Sequence, residues 1–248
     1  MKNLLFGIIF LGWTLALAHG PNHNLAEAAK KRGDYKSALR YTLKQLDEDL
    51  KSLGKDAPET IISYSKAGYY SEKIGQYKEA LKYNFEALKR QKRLEEKNDS
   101  TLASMYNNMG GVYNKLKQYD QALKYYFESL KVQEKLFGKN HRSSSITYNN
   151  IAGVYRKEEK YKEALDYYHR ALKIREEALG KNHYSVALSH SNIGLIYFQQ
   201  DKNTKALEQL DKALKIQQKK FGKEHSFTRK TQKNINYIKK QMLKSKKA

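Results

Sequence analysis

The chain of 248 residues has no cysteine, two prolines and one tryptophan. Without cysteine, disulfides, thiol catalysis and cysteine-ligated zinc are excluded together. Scarce proline leaves long stretches without the residue that breaks helices. Acidic residues are also outnumbered: 26 Asp and Glu stand against 48 Lys and Arg, a net charge of +22. That balance favours acidic proteins, anionic membrane surfaces or nucleic acid as partners. No glycine-rich phosphate loop occurs, and no nucleophile, base and orienting group converge in a recognisable motif. The chain therefore reads as a non-enzyme, with no cofactor and no metal.

Long apolar runs are missing too, with one exception. Lys2 is followed by an apolar run from Leu4 to Leu17, and Ala16-Leu17-Ala18 closes it. A basic residue, an apolar stretch and small residues at −3 and −1 describe a signal peptide. The run of 14 residues falls short of the roughly 20 that a membrane-spanning helix needs. Cleavage is expected after Ala18, so that the exported chain begins at His19 and lies in the periplasm or outside the cell. No transmembrane segment would then remain; an uncleaved anchor is the alternative. No cysteine follows the run, which excludes bacterial lipoprotein processing.

What fills the rest is repetition. Tyr35, Tyr77, Tyr119 and Tyr161 recur every 42 residues. Each is followed by an Ala-Leu pair: Ala38-Leu39, Ala80-Leu81, Ala122-Leu123 and Ala164-Leu165. Ala206-Leu207 continues the series, with Asn203 in the tyrosine's place. A fixed period of this length marks a stacked array of helix pairs. In the third repeat, Tyr106, Met109, Gly110 and Tyr113 make one helical stripe, and Ala122, Leu123, Tyr126 and Leu130 make a second. Gly110 costs about 1 kcal/mol of helix propensity, and a close helix-to-helix approach is the expected compensation. Gly138, Gly180 and Gly222 are expected to stop the second helices in the left-handed conformation. Residues 229–244 look like a first helix without a second, and are expected to cap the stack. One repeat alone buries too little apolar surface to offset the entropy of ordering it, so the array is the folding unit.

Together these features resemble the tetratricopeptide repeat. Tyr148-Asn-Asn-Ile-Ala-Gly-Val-Tyr155, Tyr161-Lys-Glu-Ala-Leu165 and Gly180-Lys-Asn-His183 are most similar to its kinesin-light-chain type. The resemblance covers about residues 24–242. It implies an all-α, right-handed α-solenoid of about five helix-turn-helix repeats with a C-terminal capping helix. The expected division has a signal peptide at 1–18, an N-terminal extension at 19–23 and a capping helix with a basic tail at 229–248. Between them lie repeats near 24–58, 59–100, 101–142, 143–184 and 185–228. Two departures matter. That type often has proline after the loop histidine, whereas Arg142, Tyr184 and Ser226 follow His141, His183 and His225, so looser loops are expected. The export signal argues against a cytoplasmic motor as partner. What carries over is the fold and a habit of binding peptides.

The resemblance places the first helices on a concave binding face. There Asn107, Asn108, Asn114 and Lys115 align with Asn149, Asn150, Arg156 and Lys157 one repeat later. Asn108, Asn150, Asn192 and Asn234 form a column. An amide both donates and accepts, so such a ladder can hold a peptide backbone whatever its sequence. Gly111 and Gly153 leave room for it. These ten Asn, Arg and Lys residues are the candidate peptide site, with the basic ones favouring an acidic protein or peptide. The competing role for the asparagines is to bond neighbouring helices and keep the array in register. In the fifth repeat Leu188, Leu195 and Phe198 occupy the same face, and the cap is expected to cover them; the alternative is an apolar pocket for a partner side chain.

Lysines gather on second helices, on Gly-Lys turns and in the tail, at Lys239, Lys240, Lys244, Lys246 and Lys247. Most of this is solvated surface; the tail offers weak contact with anionic lipid or cell-wall polymer. Nucleic acid is disfavoured, because the groove is rich in amides rather than basic. His141, His183 and His225 lie one repeat apart, roughly 10 Å or more, too far to share a metal at bonds of ~2 Å, and read as loop residues. Nothing supports copper at His19 and His23. Asn98-Asp99-Ser100 fits a glycosylation acceptor, which matters only in eukaryotic secretion. The expected function is an exported protein-interaction scaffold. The alternatives are a sensory array serving a separate signalling protein, and a basic envelope-surface adaptor.

Overall fold

The computed structural model describes residues 20–94 and 99–245. The expected signal peptide, His19, Asn98, Lys246 and Lys247 lie outside the described residues. Among those described, the secondary structure is helical, without strands. The helices are α1 (Pro21–Lys31), α2 (Tyr35–Ser52), α3 (Pro58–Lys73), α4 (Tyr77–Gln91), α5 (Asp99–Lys115), α6 (Tyr119–Phe137), α7 (Arg142–Lys157), α8 (Tyr161–Leu179), α9 (Tyr184–Gln199), α10 (Asn203–Phe221) and α11 (Ser226–Ser245). They form two compact units that divide after Gln118. Stacked helix pairs of this kind are the expected all-α solenoid fold.

In the first unit each helix from α1 to α5 packs on the next. Ala29, Ala38, Leu39, Ala67 and Tyr70 make a core cluster, and the Tyr35 ring lies 6.5 Å from Tyr69 and 6.4 Å from Tyr70. In the second unit α6 to α11 follow the same neighbour-to-neighbour order. One cluster there joins Ala152, Ala164, Tyr168, Leu172, Val186, Ile193 and Ile196. Another joins Ala206, Leu210, Ile235 and Ile238.

The periodic residues have one place each. Tyr35, Tyr77, Tyr119, Tyr161 and Asn203 begin the second helices. Ala38, Ala80, Ala122, Ala164 and Ala206 are fully buried. A methyl group added to Gly194 would stand 2.9 Å from Leu210 Cγ and 3.1 Å from the Ala206 carbonyl, so α9 and α10 cross there without space for one. Gly194 lies two repeats after Gly110, at the same position of the fifth repeat.

The turn from first to second helix is also shared. At the α7–α8 turn, Lys160 N donates to Tyr155 O at 2.9 Å and Glu159 N donates to Arg156 O at 3.2 Å. This is the Schellman pattern, which needs a positive φ at the residue that leaves the helix. Gly33, Gly75, Lys117, Glu159 and Asp201 supply it, one in each repeat.

Three expectations are corrected. Gly180 (φ 80, ψ 151) and Gly222 (φ 82, ψ 170) do have positive φ. Their ψ, however, is extended, a region open essentially to glycine alone rather than the left-handed helical one. The chain straightens there to reach the next helix. Helix α1 starts at Pro21 rather than 24, because proline in the first turn sacrifices no needed N–H. Helix α11 starts at Ser226 rather than 229, where the His225 ring accepts from Phe227 N at 3.3 Å.

Candidate functional site

In the second unit the first helices α7, α9 and α11 carry the amide face. Asn149, Asn150, Asn192 and Asn234 are all half-buried. Asn192 Nδ2 donates to Asn149 Oδ1 at 3.1 Å. The structure therefore brings α7 and α9 together through Asn149, one position beside the aligned column. That bond uses one proton and one lone pair, and an amide pair has further donors and acceptors to offer.

Around it the face has room. A methyl group at Gly153 would meet only the Tyr168 hydroxyl, at 3.8 Å. Burial pushes the Tyr168 hydroxyl pKa up, while the Arg156 guanidinium beside it pulls the other way. Arg156 is half-buried, and Lys157 is exposed with its Nζ 5.9 Å from the Tyr119 ring centre. Ile146, Asn149, Asn150 and Gly153 fall at helical spacing on one side of α7. Ile146 is 57% exposed and Leu188, its counterpart on α9, is 46% exposed. The expected covering of Leu188 by the cap is therefore corrected. Leu188 sits in the early turns of α9, whereas the apolar contacts of α11 come later, at Ile235 and Ile238. Phe198 does pack there, 5.8 Å from the Tyr237 ring and edge-on to it, and Leu195 is half-buried.

In the first unit Asn107, Asn108 and Asn114 are half-buried on α5, and Lys115 is exposed. One repeat earlier Lys66 takes the column position. It donates to Glu27 Oε1 at 3.0 Å and lies 3.4 Å from His23 Nδ1. Burial raises the Glu27 pKa, but Lys66 and Lys30 more than reverse this and hold it below the usual carboxylate value. An ion pair thus occupies the place that an amide fills in later repeats.

Sequence reasoning missed the role of three histidines. His141 and His183 each precede a helix, and their Nδ1 atoms accept from Ser143 N at 3.3 Å and Ser185 N at 3.2 Å. With His225 they are helix N-caps, which satisfy an otherwise orphaned backbone donor. This bears on the loops expected to be looser. The residue in proline's place, Arg142, Tyr184 or Ser226, is the first of a helix, and the histidine before it fixes that helix's start. The signal was present in the recurring Gly-Lys-x-His, but histidine is not among the usual capping residues.

The sequence profile of the tetratricopeptide repeat matches residues 101–177 and 143–219. This is a tetratricopeptide-repeat protein. Its fold is similar to that of BtubC (BKLC) from P. vanneervenii, at 20% identity and a TM-score of 0.73, with 83% of each chain covered. It is also similar to a Podosopora anserina putative kinesin light chain with nearly identical TPR-like repeats, at 19% identity and a TM-score of 0.67. That match covers 81% of this chain and 95% of the other. MamA from Desulfovibrio magneticus RS-1 aligns at 18% identity and a TM-score of 0.59, over 81% of this chain and 95% of that one. No curated protein matches in sequence. Among the described residues of this tetratricopeptide-repeat protein, no group of three or more His, Asp or Glu is placed to hold a metal ion. No helix among them is long and apolar enough to cross a membrane.

Proposed function

We propose that the protein is an exported scaffold that holds an extended, acidic segment of a partner protein on the amide face of its first helices. A tetratricopeptide-repeat fold serves protein–protein interaction, and this reading names the surface. The observation that supports it is the half-buried Asn149–Asn192 pair, with open space at Gly153 beside it and exposed Ile146 and Leu188 on the same face. Amides would grip the ligand backbone, the two aliphatic side chains would take an apolar residue, and Arg156 with the nearby lysines would select acidic neighbours. No catalytic step is assigned.

The test is a crosslinking capture from the organism's own envelope extract, run beside an Asn149→Ala/Asn150→Ala variant whose helicity is checked by circular dichroism. A protein captured by the parent chain and lost with the variant supports the groove. Equal capture by both would reduce the asparagines to scaffolding. Mass spectrometry of the envelope fraction tests export separately: a mature N-terminus at His19 is expected, and an intact Met1 in the cytosol would refute it.

A further inference from the structure

The second unit has another face, independent of the groove. Successive helices run back and forth, so the α6–α7, α8–α9 and α10–α11 loops emerge at one edge. Each loop has the same build. Phe137, Leu179 or Phe221 ends the second helix, then come a glycine, a lysine (Lys139, Lys181 or Lys223) and the capping histidine. The rings of Phe137 and His141 stack with centres 4.5 Å apart, as do those of Phe221 and His225. Tyr184 lies 6.3 Å from Phe221, which lies 6.2 Å from Phe227. The second and third loops thus share one aromatic run. Phe137, Tyr184 and Phe227 are 46%, 47% and 55% exposed.

We propose that this loop edge docks on an anionic lipid surface. Three of these rings leave about half of their surface to solvent beside the loop lysines, and an aromatic ring next to a cation suits the headgroup region of a lipid surface. The lysines alternate with them on long stems that reach phosphate while the rings sit deeper. Within 138–141, 180–183 and 222–225, Glu224 is the one acidic residue, and Arg229 Nε lies 3.8 Å from its carboxylate. The histidine caps hold the helix starts behind the loops, so little conformational freedom is lost on docking.

The experiment is sedimentation of the full chain with phosphatidylcholine vesicles, with and without phosphatidylglycerol. The ratio of the two affinities cancels what the apolar residues 4–17 contribute to both. Lys139→Glu/Lys181→Glu/Lys223→Glu is compared with Lys239→Glu/Lys240→Glu/Lys244→Glu, an equal charge change on the last helix. The loop variant should lower the anionic preference on the order of 100-fold, and the last-helix variant only several-fold. No anionic preference in the parent chain, or equal losses in both variants, would overturn the proposal. So would binding to polyglutamate without binding to vesicles, which would assign the edge to an acidic protein. A second arm does not depend on the triple variant folding. In a Trp13→Phe chain, Tyr184→Trp should give a blue-shifted emission on anionic vesicles, and Tyr237→Trp should not. The reverse pattern would overturn the proposal.

Discussion

Glu159 and Gly180 stand at turns that make different demands on the backbone. Glu159 has φ 60, which an L-residue tolerates at a cost of roughly 1–2 kcal/mol. Gly33 and Gly75 hold the same place in earlier repeats at no such cost. Glu159→Gly should therefore stabilise the chain, by about 0.5–1 kcal/mol after the glycine's own entropy is counted. Gly180, with its extended ψ, has no equivalent freedom, and Gly180→Ala should cost about 1–3 kcal/mol. Urea unfolding followed by circular dichroism measures both, and a change of the same sign in the two variants would refute the assignment. The glycine at 180 was legible from its position after a helix. The positive φ at Glu159 was not, because nothing in the residue type announces it.

Between elements, a buried polar series joins second helices to the first helices that follow. Asp49, Gln91, Gln133, Arg175 and Gln217 recur at the same period and are all buried. Asp49 accepts from Ser63 Oγ at 2.6 Å, Gln133 accepts from Thr147 Oγ1 at 3.0 Å, and Arg175 donates to Ser189 Oγ at 2.7 Å. Burial pulls the Arg175 pKa down from its usual value, the mark of a charge taken out of water. Thr147→Val should orphan the Gln133 carbonyl and cost about 1–3 kcal/mol. Adding Gln133→Met should recover much of that loss, since both polar partners are then gone. A double variant as unstable as the sum of its parts would show that the bond contributes nothing. The series escaped a reading of identities because its position repeats while its residue type does not.

At the scale of the molecule, the last helix covers one side of the second unit's core. Ile235 and Ile238 of α11 pack with Ala206 and Leu210 of α10. Asn236 and Lys239 stand where Gly194 and Tyr197 meet their second helix, and both are exposed. Two polar side chains thus stand where earlier first helices meet their partners, and Leu243, one turn on, is 63% exposed. Ending the chain at Gly222 should uncover the α10 core and remove the two buried isoleucines, at about 1.5–3 kcal/mol each. A lowered Tm with increased binding of a hydrophobic dye is expected. An unchanged Tm would mean that α11 is not a cap.

The helices, their pairing and the repeat class followed from the sequence alone. Each rests on a local pattern: 3.6-residue spacing within a helix, and small residues or glycine at the turns, repeated in register. Only the tertiary structure decided which polar groups meet. Asn192 bonds Asn149, one position beside the aligned column, three histidines cap helices, and Leu188 stays exposed while Phe198 is packed. These outcomes depend on how far one helix slides and rotates against the next, and no pattern along a single helix encodes that offset.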